Sequence, residues 1–133
     1  MNPSNTLSIS IASKPVDVAR YVADPRNLPH WAGAFCKSVH PEGDRWIIQT
    51  DEGTFGLHFN ASVEHGILDH VVEIAEDVQV YVPMRVVPNG EGSEVLFTLF
   101  RMPAMTEQRW ENDLAMVKAD LHRLRDVMES CKP

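Results

Sequence analysis

The first periodic segment is Leu7-Ser8-Ile9-Ser10-Ile11, where apolar and polar residues alternate. A period of two marks a strand with one buried face. Ser13-Lys14-Pro15 follows. Pro15 suits the first turn of a helix, because its missing N–H would have no partner there. The pattern predicts a short helix over 16–23, stopped at Asp24-Pro25. Residues 26–31 read as a second short helical turn or a tight loop. Strand candidates then come at short spacing. Segment 36–40 ends at Pro41-Glu42-Gly43-Asp44, and segment 45–50 ends at Asp51-Glu52-Gly53, both turn sequences. Within 54–62, Phe55, Leu57, Phe59 and Ala61 point one way and Gly56, His58 and Asn60 the other. Segment 68–75 groups Leu68, His70, Val72 and Ile74 on one side. Segment 78–87 groups Val78, Val80, Val82 and Met84, and segment 93–101 groups Val95, Phe97 and Leu99. Turn-length gaps favour an antiparallel meander over βαβ crossovers. Pro83 inside a strand predicts an edge position or a bulge.

The last element is a helix over 106–130. Thr106 is a natural N-cap, and Glu107 suits the positive end of the helix dipole. Met105 and Trp110 fall at the spacing of a hydrophobic staple. Trp110, Leu114, Val117, Leu121, Leu124 and Met128 recur every three or four residues as one apolar stripe. Arg109/Asp113 and Arg125/Glu129 are opposite-charge pairs four residues apart, placed away from that stripe. The elements add up to an α+β fold. A curved antiparallel sheet of six to seven strands wraps around a long C-terminal helix, with two short helices after the first strand.

Composition narrows the function classes. The chain has 133 residues, 44% of them hydrophobic, which suits a single domain over 1–133 with a sizeable core. Its net charge of −7 lacks the basic footprint that nucleic acid and anionic membrane surfaces require. No nucleic-acid or membrane partner is expected. No apolar run approaches the roughly 20 residues of a membrane span. The polar start, Met1-Asn2-Pro3-Ser4-Asn5-Thr6, does not read as a signal peptide. The expected location is the cytoplasm, with Cys36 and Cys131 as free thiols rather than a bridge. There is no HxxxH or HxH spacing among the six histidines, and no GxSxG, Walker or GxGxxG motif. Neither a metal nor a cofactor is expected. A homodimer is compatible with the sequence.

A curved sheet must cover its apolar face. One helix with its side chains covers a strip only about 10 Å wide. A hollow remains between helix and sheet unless side chains such as Phe55, Phe59 and Phe97 fill it. The pattern alone leaves both outcomes open.

One stretch carries a resemblance. It runs Ser13-Lys14-Pro15-Val16-Asp17-Val18-Ala19-Arg20-Tyr21-Val22-Ala23-Asp24-Pro25-Arg26-Asn27-Leu28-Pro29-His30-Trp31. It resembles the N-terminal signature of the START-like or Bet v 1-like helix-grip superfamily, in particular the polyketide cyclase/dehydrase-like branch. That signature is a helix ending in Asp-Pro, then a short helix ending in Trp. The resemblance extends over nearly the whole chain. It implies a cavity between sheet and C-terminal helix for a small hydrophobic or aromatic molecule, with modest cyclase- or dehydrase-type acid–base chemistry. This chain is compact, and its turns after Pro41 and Asp51 are short, so the implied cavity is small or partly filled.

The candidate lining residues are Trp31, Phe55, Leu57, Phe59, Val72, Val80, Val82, Phe97, Leu99, Trp110, Leu114, Val117 and Leu121. His70 is the candidate acid/base, because it shares a strand face with Leu68, Val72 and Ile74 and titrates near neutrality. Tyr81 and Arg85 are secondary catalytic candidates. Their parity sets them on the outer face unless a bulge at Pro83 turns them inward. His58 is expected on the convex side, and His30 near the mouth beside Trp31. Met102-Pro103-Ala104-Met105 reads either as a gate or as a connector whose methionines fill core gaps. The rival function is a protein-interaction module resembling the chaperone-activator branch of the same superfamily, with a filled core.

Overall fold

The computed structural model describes residues 1–130, and Cys131, expected as a free thiol, lies outside them. Strand β1 (Ser4–Ile11) leads into helix α1 (Pro15–Ala23), which opens on Pro15 and buries Val18, Ala19 and Val22. A 3-10 turn (Pro25–Asn27) follows, capped by the Asp24 carboxylate, which accepts from Arg26 N at 3.1 Å. Helix α2 (Leu28–Trp31) buries Leu28 and Trp31. Then come β2 (Ser38–Glu42), β3 (Arg45–Thr50), β4 (Gly53–Ser62), β5 (Ile67–Ala75), β6 (Val78–Val82), β7 (Met84–Asn89) and β8 (Gly92–Phe100). Helix α3 (Glu107–Ser130) closes the chain.

The strands form one antiparallel sheet in the order β1-β8-β7-β5-β4-β3-β2, with β6 beside β5. Among the described residues there are eight strands where six to seven are expected. The additional one arises at Pro83, which cuts the strand expected over 78–87 into β6 and β7. Proline has no N–H for the ladder. Here it sits inside the sheet, not at an edge: its carbonyl accepts from Thr98 N at 3.0 Å. The carboxylate of Asp69 on β5 accepts from Met84 N at 2.9 Å, so the N–H after the break is not left unpaired. Side-chain alternation survives the break. Val82, Met84 and Val86 are buried, while Tyr81, Arg85 and Val87 are exposed.

Two other expectations need correction. Cys36 precedes β2 instead of starting it, and lies in the core as a free thiol. Arg125 pairs with Asp126, not Glu129. Glu129 accepts from Ala12 N at 2.9 Å and ties the end of α3 to the end of β1.

Gly66 shows how close the packing is. Its φ is +68°, and a Cβ there would come within 2.1 Å of the Val86 carbonyl oxygen. Only glycine serves at this turn into β5.

Helix α3 lies across the concave face of the sheet. Thr106 Oγ1 caps it by accepting from Arg109 N at 3.1 Å. Its buried residues, Val117, Asp120, Leu121 and Leu124, begin at the middle of the helix, and none lies in its first ten residues. Trp110 and Leu114 are only half-buried. The helix is therefore anchored at one end and bridges a gap at the other.

Candidate functional site

Strand register builds one wall of that gap. Leu57, Val72 and Val80 are direct partners across β4, β5 and β6, and Phe59, His70 and Val82 form the adjacent row. Phe97 and Leu99 on β8 continue the concave surface. Opposite them stand Trp110, Met116, Val117 and Leu121 of α3, with Trp31 of α2 and Phe35 of the following loop at the side. The space enclosed has a volume of about 340 Å³. The exposed lining residues Asp51, Glu52, Arg109 and Asn112 mark its mouth, between the β3–β4 turn and the start of α3.

All the lining candidates except Leu114 border this cavity: Trp31, Phe55, Leu57, Phe59, Val72, Val80, Val82, Phe97, Leu99, Trp110, Val117 and Leu121. Leu114 lies off it because the helix is rotated. The arc facing the cavity runs through Trp110, Asp113, Met116, Val117, Asp120 and Leu121. Successive residues turn by about 100°, so Leu114 falls at the edge of that arc.

His70 is 8% exposed and borders the cavity. Its Nδ1 lies 3.0 Å from the Leu68 carbonyl, which fixes the proton of a neutral ring on Nδ1 and leaves the Nε2 lone pair as the acceptor. Phe59 and Phe97 hold the ring, with centroids at 4.9 Å and 5.9 Å. Burial lowers its pKa, so the imidazole is neutral at physiological pH.

Tyr81 and Arg85 are not part of the cavity. Both lie on the convex face and converge on Asp69. Tyr81 Oη donates to it at 2.6 Å, and Arg85 donates through Nε at 3.0 Å and Nη2 at 2.8 Å. Their outward parity persists through the Pro83 break because the register against β5 does not shift there: His70 faces Val82 before it and Ile67 faces Arg85 after it. The Arg85 guanidinium holds the Asp69 carboxyl well below the usual carboxylate range.

His58 lies on the same convex face, against Glu73, which also receives Arg45 Nη1 at 2.8 Å. His30 is exposed. Met102 and Met105 line the cavity.

Two site residues escape a stripe-based reading. Asp120 is buried in the cavity wall, where its Oδ1 accepts from Ala34 N at 3.0 Å. Burial pushes its carboxyl up to about 6. Asp113 is also raised by burial, against the opposing pull of Arg109. Arg109 donates to Asp113 at 2.9 Å and reaches across the mouth to Glu52 with both Nη atoms. A count of apolar residues along α3 passes over both aspartates. Their spacing of seven puts the two aspartates on one face of α3, but which way that face points depends on the rotation of the helix.

Solved structures with this architecture fix its place. The protein XoxI from Bacillus cereus superposes with a TM-score of 0.76 at 15% identity, over 94% of each chain. A START superfamily protein from Mycobacterium smegmatis gives 0.67 at 11%, over 97% of this chain and 99% of that one. The chain has the START-like, Bet v 1-like helix-grip fold. The di-domain ARO/CYC BexL, from the BE-7585A biosynthetic pathway, shares it with a TM-score of 0.74 at 13% identity. There, 93% of this chain matches 45% of BexL. No protein-family model matches the chain, and no curated protein matches it in sequence. At these identities the likeness is one of fold. Fold alone does not assign a ligand, so the helix-grip cavity has to be read from its own residues. Among the described residues no helix is long and apolar enough to cross a membrane, and no cluster of His, Cys, Asp and Glu has the arrangement of a metal site.

Proposed function

We propose that this protein binds a small hydrophobic or aromatic molecule between the concave sheet and α3. The observation that carries this is the cavity itself: about 340 Å³ of space under a helix whose N-terminal half is only partly buried. Such a volume falls within the usual range for small-molecule sites. Aromatic walls on two sides, Phe55, Phe59 and Phe97 against Trp31 and Trp110, suit a planar ring system. A filled core, which the protein-interaction alternative requires, would not leave this space. The reading keeps the activity within one domain and in the cytoplasm. It also leaves Cys36 as an unreactive thiol, pushed up to about 11 by burial.

Of the three catalytic candidates only His70 borders the cavity, since Tyr81 and Arg85 lie on the other side of the sheet. With Nδ1–H held by Leu68, the ring can accept a proton at Nε2. Its lowered pKa makes it a weak base, so binding comes first in this reading and cyclase-type chemistry second.

The test uses N-phenyl-1-naphthylamine, an uncharged dye whose emission rises in apolar surroundings. The expected result is saturable fluorescence together with thermal stabilisation. At 100 times the dissociation constant, a bound ligand stabilises the native state by about 2.7 kcal/mol. Absence of both signals, for this dye and a panel of uncharged aromatics, would reject the reading. Unchanged affinity and turnover in His70→Ala would remove His70 from it.

A further inference from the structure

His70 stands in the row Phe59-His70-Val82, and all three border the cavity. Its Nδ1–H turns back to its own strand and donates to the Leu68 carbonyl at 3.0 Å. Nε2 is the ring nitrogen farther from the backbone, so it sits at the tip of a side chain that projects from the concave face. No group among the described residues bonds it. Nor is it sealed in the protein: among the described residues, the unpartnered side-chain nitrogen or oxygen with essentially no accessible surface is Trp31 Nε1, and no other. Nε2 therefore keeps accessible surface, and the place of His70 on the wall opens that surface to the cavity. A neutral imidazole protonated at Nδ1 can only accept at Nε2. Burial, which lowers the pKa of His70, keeps the ring in that neutral form.

The other polar side chains of the wall do not offer the opposite role. Asp113 and Asp120 carry carboxyl groups, which accept when ionised. The Arg109 guanidinium is engaged by Asp113 and Glu52, and Thr50 Oγ1 donates to the Gly53 carbonyl at 2.9 Å. Asn112 is exposed at the mouth. A ligand that can only accept hydrogen bonds thus meets no unengaged side-chain donor deep in the cavity. A ligand that donates meets Nε2. A buried polar group left without its partner disfavours the ligand that lacks it.

We propose that the cavity selects an uncharged aromatic molecule bearing a hydrogen-bond donor, a hydroxyl or N–H group, which donates to His70 Nε2. This inference rests on the ligand-binding reading above. It gives His70 a role in specificity that requires no proton transfer. Phe59 and Phe97, with centroids 4.9 Å and 5.9 Å from the imidazole, hold the acceptor in place.

Three probes of similar shape test it. 2-Naphthol carries the donor, 2-methoxynaphthalene keeps the oxygen but caps its proton, and 2-methylnaphthalene has no oxygen. Each is titrated at pH 7.5 by displacement of N-phenyl-1-naphthylamine, whose own affinity is measured in every protein used. 2-Naphthol is expected to bind about fivefold tighter than 2-methylnaphthalene, and 2-methoxynaphthalene no tighter. In His70→Leu the preference for 2-naphthol should vanish while 2-methylnaphthalene still binds. A second readout uses the wild-type protein alone. The 15N resonance of His70 Nε2 should move upfield, away from the position of an unbonded ring nitrogen, with 2-naphthol and not with 2-methylnaphthalene. Equal binding of 2-naphthol and 2-methylnaphthalene, or an Nε2 resonance indifferent to 2-naphthol, would overturn the assignment while leaving the ligand-binding reading intact. So would a preference that survives in His70→Leu, or 2-methoxynaphthalene binding as tightly as 2-naphthol. If neither the dye nor any probe binds, the ligand-binding reading fails and this inference with it.

Discussion

Asp120 sits where a hydrophobic side chain would be the easy choice. Its carboxyl titrates near 6 because burial disfavours the charge more than the Ala34 N–H stabilises it. The folded-state pKa lies above the ordinary value of 3.8, so the unfolded chain loses this proton first as pH rises. The unfolded state then binds fewer protons, and the Asp120 contribution makes stability fall between about pH 4 and pH 6. Asp120→Asn should remove that fall. Urea denaturation at pH 4.5 and pH 7.5 should show the variant gaining on the wild type by roughly 2 kcal/mol at the higher pH. An unchanged gap would mean that the carboxyl titrates normally. Asp120 was not legible from the sequence as part of a site. A polar residue between Ala119 and Leu121 reads as solvated until the rotation of the helix is known, and that rotation is set by packing against β1 and α2. His70 was legible, because its strand neighbours fix its parity.

At the scale of elements, the strand break at Pro83 is the feature that needs chemistry to hold it. Four donor atoms on β6 and β7 converge on the Asp69 carboxylate: Tyr81 Oη, Met84 N, and Arg85 Nε and Nη2. Asp69→Ala leaves the buried Met84 N–H unpaired, at a cost of about 1–3 kcal/mol. The exposed Arg85 contributes little beyond that, since solvent screens its charge. The folded-state pKa of Asp69 is depressed, so its contribution is fully present above about pH 4 and fades as pH falls below that. The difference in unfolding free energy between wild type and Asp69→Ala should therefore be largest at neutral pH and shrink towards pH 2. A difference constant with pH would separate the stability effect from ionisation. The sequence carried the break itself in Pro83, and the alternation of 78–87 carried the facing of both halves. The partner was not readable, because Asp69 lies across a strand pair whose register no single segment determines.

At the scale of the whole molecule, the order of elements and the curved sheet under a long helix followed from periodicity and turns. The empty volume did not. Whether Phe55, Phe59 and Phe97 fill a core or line a cavity depends on distances of a few ångströms between α3 and the sheet, which no periodicity encodes. The distinction can be tested by adding volume. Val117 faces the cavity from α3, and Val117→Phe places a ring in space that is now open. In a filled core this change would destabilise by about 1–3 kcal/mol. Here the melting temperature is expected to hold or rise while N-phenyl-1-naphthylamine binding is lost. A falling melting temperature with binding retained would argue for a different location of the site.

The ion pair from Arg109 to Glu52 spans the mouth between α3 and the β3–β4 turn, and both side chains are substantially exposed. Exposed pairs of this kind are worth about 0–1 kcal/mol, so the span is broken a sizeable fraction of the time. Such side chains rearrange in picoseconds to nanoseconds. On the clock of ligand exchange the mouth therefore behaves as an open door. Residence time is then set by the contacts deep in the cavity, and raising the salt concentration should leave the off-rate of an uncharged ligand nearly unchanged.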